Sequence, residues 1–371
     1  MTFDPTRLVK PSILQLKPYQ PGKPIAEVQQ EYGLQEVIKL ASNENPLGLS
    51  AHVKEAILAA LPDILRYPDG SCLVLKAALA KHLKVKETQL IMGNGSEDVL
   101  RILLQAFAWG EKHLIISQYA FIAYKILAQG LGISVKEIPE RDFSTDLHAM
   151  LAAITQETGM IIIANPNNPT GTYVNGSQLK AFLDKVPPHV LVICDEAYYE
   201  YVTEKDYPQT LNLQQRYPNL VTTRTFSKIY GLAGLRIGYG VAHEEVVDLL
   251  NRIRQPFNVN HLAQIATTAA LEDQHFVQKG ILLNEQGKKQ FYEGLAELGL
   301  HYIPSATNFI LVDCQQPGKN VYQALLEQGV IVRPLDPYGL DKYVRITIGT
   351  TDENNRCLLA LKRIFAKEKV L

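Results

Sequence analysis

The stretch Thr225–Gly240 reads TFSKIYGLAGLRIGYG and links two apolar, β-branched runs, Leu220–Thr225 and Ile237–Val241. Lys228 falls just past the first predicted strand, with Thr225 and Ser227 beside it and Arg236 eight positions on. The glycines between the two basic residues argue against an ordinary helix face. A Ser-Lys pair on its own reads as a solvated surface feature. At a strand mouth, desolvation and a neighbouring cation lower a lysine's pKa, so its amine can condense with an aldehyde. The hydroxyls and the guanidinium beside it are donors suited to a phosphate.

Working outward, further strands are expected at Leu90–Met92, Leu114–Ser117, Met160–Ala164 and Val190–Cys194. Amphipathic stretches at Glu97–Ala108, Ala120–Gln129, Asp146–Thr155 and Gln178–Lys185 alternate with them. Continuous apolar strands separated by helices predict an α/β fold with a mostly parallel sheet covered on both faces. Such sheets bind ligands at the carboxyl ends of their strands.

Two segments converge on that edge. NPNNPTG, Asn165–Gly171, follows a buried strand, and its Asn-Pro steps impose a non-helical loop. The loop is either a plain turn or a holder for Asn167, whose amide can donate to an oxygen. VLVICDEAYYEY, Val190–Tyr201, ends an apolar strand in Asp195. A carboxylate buried there needs a cation, and a protonated pyridine nitrogen is one. The competing role for Asp195 is a helix N-cap over Glu196–Tyr201. Tyr198 is placed to donate to a phenolate oxygen. Asn167 to Asp195 spans 28 residues and Asp195 to Lys228 spans 33, each about one βα unit, so the three should share one sheet edge. A lysine nucleophile, a buried acid and phosphate donors in this order point to pyridoxal phosphate (PLP).

GNGSED, Gly93–Asp98, lies between a strand and a helix and offers backbone amides at a helix N-terminus for a phosphate. The acidic pair Glu97 and Asp98 suits this only if both side chains point away. Phe121, or Tyr119, is positioned either to stack on a pyridine ring or to pack in the core.

A chain of 371 residues suits two domains. A large domain is expected over 46–260. A proline-rich irregular arm, 1–45, joins a smaller α+β domain over 261–371, with strands at Phe309–Asp313, Val330–Pro334 and Val344–Ile348. A net charge of -1 and 20% charged residues give no reason to expect nucleic acid or an anionic membrane as partner. The start lacks an apolar signal-like run and no stretch is long enough to span a bilayer, so a cytoplasmic enzyme is expected. The four cysteines form no CxxC pair and are expected as buried thiols, with no metal.

TFSK…GLAGLRIGY, NPNNPTG and DEAYYEY together resemble the class II group of the fold-type I PLP-dependent aminotransferases. LKPYQPGKPI around Tyr19, LASNENPLG at Leu40–Gly48, LRYPDG at Leu65–Gly70 and VIVRPLDPYGLDKYVRITIGT at Val330–Thr350 extend the resemblance to the histidinol-phosphate aminotransferase branch. It covers nearly the whole chain. The resemblance implies that Lys228 binds the cofactor covalently and moves the proton, while Asp195 pairs with the pyridine nitrogen. Asn167 and Tyr198 would touch the phenolate oxygen; Ser96, Glu97 (by backbone), Thr225, Ser227 and Arg236 would hold the phosphate. Arg345 would bind the α-carboxylate of glutamate, with Arg333, Tyr19 and Asn167 helping to bind substrate. It further implies a homodimer in which Tyr67 reaches the neighbouring subunit's cofactor.

The activity so implied is exchange of an amino group between L-histidinol phosphate and 2-oxoglutarate, giving imidazole acetol phosphate and glutamate in histidine biosynthesis. An aromatic amino acid aminotransferase and a PLP-dependent threonine-phosphate decarboxylase share much of the pattern. A non-enzymatic regulator would need a DNA-binding segment, and no basic cluster marks one.

Overall fold

The computed structural model describes residues 3–367. Its main sheet has seven strands, in spatial order Leu90–Gly93, Gly238–Val241, Leu220–Thr225, Leu191–Asp195, Thr158–Ala164, His113–Ser117 and Ser134–Ile138. Gly238–Val241 runs antiparallel to both its neighbours, and the other pairs are parallel. Every residue of Thr158–Ala164 and Leu191–Asp195 is buried, which is why these strands read as unbroken apolar runs. Their side chains alternate between two cores. Met160 and Ile162 pack with Leu103 and Ile116 on one face, whereas Ile161 and Ile163 pack with Leu179 and Phe182 on the other.

A second sheet, antiparallel and four-stranded, has the order Arg333–Pro334, Tyr343–Thr347, Phe309–Asp313 and His301–Ile303. Helices Gln274–Leu298 and Thr351–Lys367 pack against each other beside it. The single strand expected over Val330–Pro334 is two. Val330–Ile331 pairs in parallel with Ile38–Lys39, and Arg333–Pro334 turns to pair with Tyr343–Thr347. The fully buried Val332 lies between the two pairings.

One other expectation needs correction. The arm 1–45 is not irregular throughout, because Ile25–Tyr32 is a helix ended by Gly33 at φ 65°. Its prolines open helices rather than exclude them: Pro24 precedes this helix and Pro11 begins Pro11–Leu14. Helix His261–Glu272, just past residue 260, packs on Ala51–Ala60 and Leu73–Leu83.

Beneath the carboxyl edge of the main sheet lies a buried ion pair. Arg224 Nη2 stands 2.7 Å from Glu196 Oε2, both residues are almost fully enclosed, and the Thr210 hydroxyl donates to Glu196 Oε1 at 2.8 Å. The Arg224 guanidinium also covers the Tyr199 ring at 3.4 Å. Glu196→Gln leaves a buried cation without its counter-charge, and unfolding in urea should show a loss of about 3–5 kcal/mol. An unchanged midpoint would show that the pair is not anchoring this edge.

Candidate active site

Asp195 and Thr225 end neighbouring parallel strands, and Gly93 and Gly238 lie across from Thr225 at the same edge. One cavity opens there. It brings together Tyr19, Ser96, Glu97, Phe121, Asp195, Tyr198, Thr225, Ser227, Lys228, Arg236, Arg333 and Arg345 from distant parts of the sequence.

Lys228 is partly buried, and its Nζ donates to the Ser42 carbonyl at 3.2 Å. Burial lowers its pKa to about 8, helped by the Arg345 and Arg236 cations and opposed by Glu44. Above pH 8 the amine is therefore mostly neutral, whereas an ordinary lysine needs pH 10.5. Between these values the folded protein binds fewer protons than the unfolded chain, so the stability of the cofactor-free protein rises with pH across this window. Trapping of Lys228 by a small aldehyde and borohydride should rise with a midpoint near pH 8. A midpoint near 10.5 would contradict the depressed value.

Asp195 is buried, and its carboxylate accepts from the Tyr124 hydroxyl at 2.5 Å and the Thr223 hydroxyl at 2.9 Å. Burial raises its pKa, and the two hydrogen bonds oppose the rise. Its hydrogen bonds run to side chains, not to the following backbone, and the segment after it is a short 3-10 turn, Tyr199–Tyr201. The N-cap role therefore falls away. Among the described residues no Lys, Arg or His forms an ion pair with Asp195. A cationic ring nitrogen would supply the missing partner.

The phosphate end of the cavity is a cradle of close backbone approaches. A Cβ on Gly95, which has φ +84°, would lie 2.9 Å from Arg236 Nη2, and one on Gly238 would lie 2.3 Å from the Ser96 nitrogen. Helix Ser96–Phe107 begins there with no side-chain cap; Asp98 N–H bonds the Gly95 carbonyl at 3.2 Å, and the N–H groups of the cavity-lining Ser96 and Glu97 are left for a ligand. Asp98 is turned away, accepting from Asn94 N and Asn258 Nδ2 and pairing with Arg101. These donors, the orphaned acid and the activated lysine together fit PLP.

Two predicted residues are not in the cavity. Asn167 is held in a tight turn: its N–H donates to the Thr172 carbonyl and its carbonyl accepts from Gly171 N–H. Its Nδ2 bonds Glu140 Oε1 and Thr170 Oγ1, away from the cavity, and the lining residue is its neighbour Asn168. Asn168 Oδ1 accepts from Arg345 Nη1. Tyr67 is 83% exposed and stacks on Phe257 at 4.9 Å, outside its own chain's cavity. Phe121 lines the wall edge-on to Tyr124, whereas Tyr119 packs against Phe143. Sequence reading missed Tyr124 and Asn43. Tyr124 sits on a helix face that reads as core, and only the Asn-rich composition of LASNENPLG hinted at Asn43.

Arg333 and Arg345 face each other across the antiparallel pair Arg333–Pro334 and Tyr343–Thr347. Directly opposed residues point to the same side, and like charges there repel. Neither forms an ion pair among the described residues. Arg345 is 7% exposed, donates to the Ala41 carbonyl at 2.7 Å and keeps a buried Nε without partner. Arg333 lies over the Tyr19 ring at 5.3 Å. Such a pair calls for an anion between the two.

Residues 35–361 match the family model of aminotransferase class I and II. Histidinol-phosphate aminotransferase 1 of Idiomarina loihiensis is 49% identical over 98% of this chain and 99% of its own length. Histidinol-phosphate aminotransferase 1 of Nitrosococcus oceani is 50% identical over 94% of each. Among solved structures, histidinol-phosphate aminotransferase from Sinorhizobium meliloti in complex with pyridoxal 5'-phosphate superposes with a TM-score of 0.89 at 28% identity, covering 97% of this chain and 98% of that one. With its lysine, buried acid and phosphate cradle arranged as that chemistry requires, the chain belongs to the class I and II aminotransferases and stands among the histidinol-phosphate aminotransferases.

Proposed function

We propose that the protein transfers the amino group of L-histidinol phosphate to 2-oxoglutarate, giving imidazole acetol phosphate and glutamate, as a step of histidine biosynthesis. The observation that carries the substrate choice is the opposed pair Arg333 and Arg345, set in the same cavity as Lys228, with neither in an ion pair among the described residues. Two guanidinium groups match a phosphomonoester dianion on one substrate and a carboxylate on the other. The relatives named for this activity support the reading.

PLP, when bound, supplies a ring that draws electrons away from the substrate's α-carbon. The chain's own groups do the rest. Asp195 holds a proton on the ring nitrogen, and Lys228, with its pKa near 8, moves a proton at the α-carbon. Tyr198, whose pKa burial lifts to about 12, stays protonated and donates to the phenolate oxygen. Ser96, the Glu97 backbone, Thr225, Ser227 and Arg236 hold the phosphate, and Asn168, which lines the cavity where Asn167 was expected, braces Arg345.

We also infer a homodimer. Ile64, Leu65, Tyr67, Leu73, Val74 and Phe257 are exposed apolar residues around one segment, and a second copy of the chain would cover them while Tyr67 reaches its cofactor. Among the described residues no helix is long and apolar enough to cross a membrane. The relatives named for a biosynthetic aminotransferase support a cytoplasmic location.

Adding histidinol phosphate to the cofactor-loaded protein without a keto acid should bleach the yellow band to that of pyridoxamine phosphate, with no carbon dioxide released. Release of carbon dioxide would favour the decarboxylase, and faster conversion with phenylalanine would favour the aromatic aminotransferase.

A further inference from the structure

The segment Ala41–Asn43 runs between the two sheets, and each of its carbonyls accepts from a different side chain, two of them from the site. Arg345 Nη2 donates to the Ala41 carbonyl, Lys228 Nζ to the Ser42 carbonyl, and Asn308 Nδ2 to the Asn43 carbonyl. The Asn43 side chain is 1% exposed and its Nδ2 reaches the Tyr198 hydroxyl oxygen at 2.8 Å.

Thr347 orients the Asn43 amide. Thr347 Oγ1 accepts from Asn43 N–H at 3.0 Å, and the Thr347 hydroxyl gives its single proton to Asn43 Oδ1 at 2.9 Å. The amide's oxygen faces Thr347 and its NH2 faces Tyr198, whose hydroxyl oxygen is the acceptor. That leaves the Tyr198 proton free to be donated into the cavity. Thr347 lies two residues from Arg345 on the same strand, so the two side chains share a face. One short polar chain therefore runs from the strand of the anion-binding arginine to the phenol.

Resting on the reading of Tyr198 as a donor to the cofactor's phenolate oxygen, we infer that Asn43 is the positioning residue that aims the Tyr198 proton at the cofactor and ties it to the strand carrying Arg345. The backbone explains the choice of residue. Asn43 has φ 57°, in the left-handed region where asparagine is among the tolerated side chains. Glycine would accept the backbone but bring no amide. Aspartate would accept it and reverse the polarity, drawing the Tyr198 proton to itself.

Those two substitutions make the test, because neither strains the backbone. The pH titration of the bound cofactor's visible absorption reports on the donor at its phenolate oxygen, since such a donor stabilises the less protonated form. Tyr198→Phe should move the midpoint upward. Asn43→Gly should move it the same way by a smaller amount, and Asn43→Asp at least as far as Asn43→Gly. The Asn43→Gly shift should vanish in the Tyr198→Phe background, because two residues acting through one bond are not additive. Turnover of Asn43→Gly should fall by about three- to tenfold, the worth of one neutral hydrogen bond. If Tyr198→Phe shifts the midpoint and the Asn43 variants do not, or if the shifts simply add, Asn43 has no such role. A Tyr198→Phe protein with an unmoved midpoint would instead overturn the assignment of Tyr198 itself.

Discussion

Lys228→Ala is expected to abolish steady-state transamination, lowering kcat by about 10⁴-fold or more, because one side chain serves as both covalent anchor and proton carrier. Protein reduced with borohydride and mapped by mass should carry a pyridoxyl group on Lys228 in the parent and none in the variant. Lys228→Arg keeps the charge beside Ser42 but not the nucleophile, and should be equally inactive. Cofactor should still enter the variant without covalent attachment, since Arg236, Ser96 and Asp195 are untouched. Retention of even a hundredth of the parent rate would mean that another group moves the proton.

Arg345→Ala should cost about 2 kcal/mol or more in kcat/KM, roughly thirtyfold, for both histidinol phosphate and glutamate. Burial and the nearby Arg333 cation both press against the Arg345 charge, and the phenols of Tyr198, Tyr338 and Tyr19 oppose them. A bound anion relieves that tension, and its loss falls on binding in both half-reactions. Arg333, half-buried and resting on Tyr19, is the more open member of the pair. Arg333→Ala should therefore weaken the phosphorylated substrate more than glutamate. Unchanged Michaelis constants for both substrates in Arg345→Ala would remove that residue from the site.

The strands of the main sheet were legible in the sequence because burial on both faces leaves an unbroken apolar run. Ser134–Ile138 was not, since it is an edge strand with only Ile138 buried and charged residues at Lys136 and Glu137. Asp195 was visible because a carboxylate there interrupts an otherwise apolar strand, and Lys228 because hydroxyls, a guanidinium and a glycine-rich run surround it just past a strand. The choice between Asn167 and Asn168 depended on how one turn points its side chains, and spacing along a chain carries no sign for that. Tyr124 and Asn43 act through contacts 71 and 155 residues away in sequence, so nothing local to either residue announces them. Tyr67 follows the same logic one level up, because its expected target lies in another copy of the chain.

The excursion that carries Lys228 and Arg236 leaves the sheet at Thr225 and returns at Gly238, and these two residues are register partners in the antiparallel pair. Phe226 N–H adds one more bond, to the Ile237 carbonyl. Both feet of the excursion are thus bolted to a ladder whose faces alternate with every residue. With both feet fixed, an insertion or deletion of one amino acid between them has to be absorbed by the excursion itself, the segment that carries the nucleophile and the guanidinium. Loop-length variation, tolerated at many surfaces, would here move Lys228 and Arg236 relative to each other and to the cavity they line.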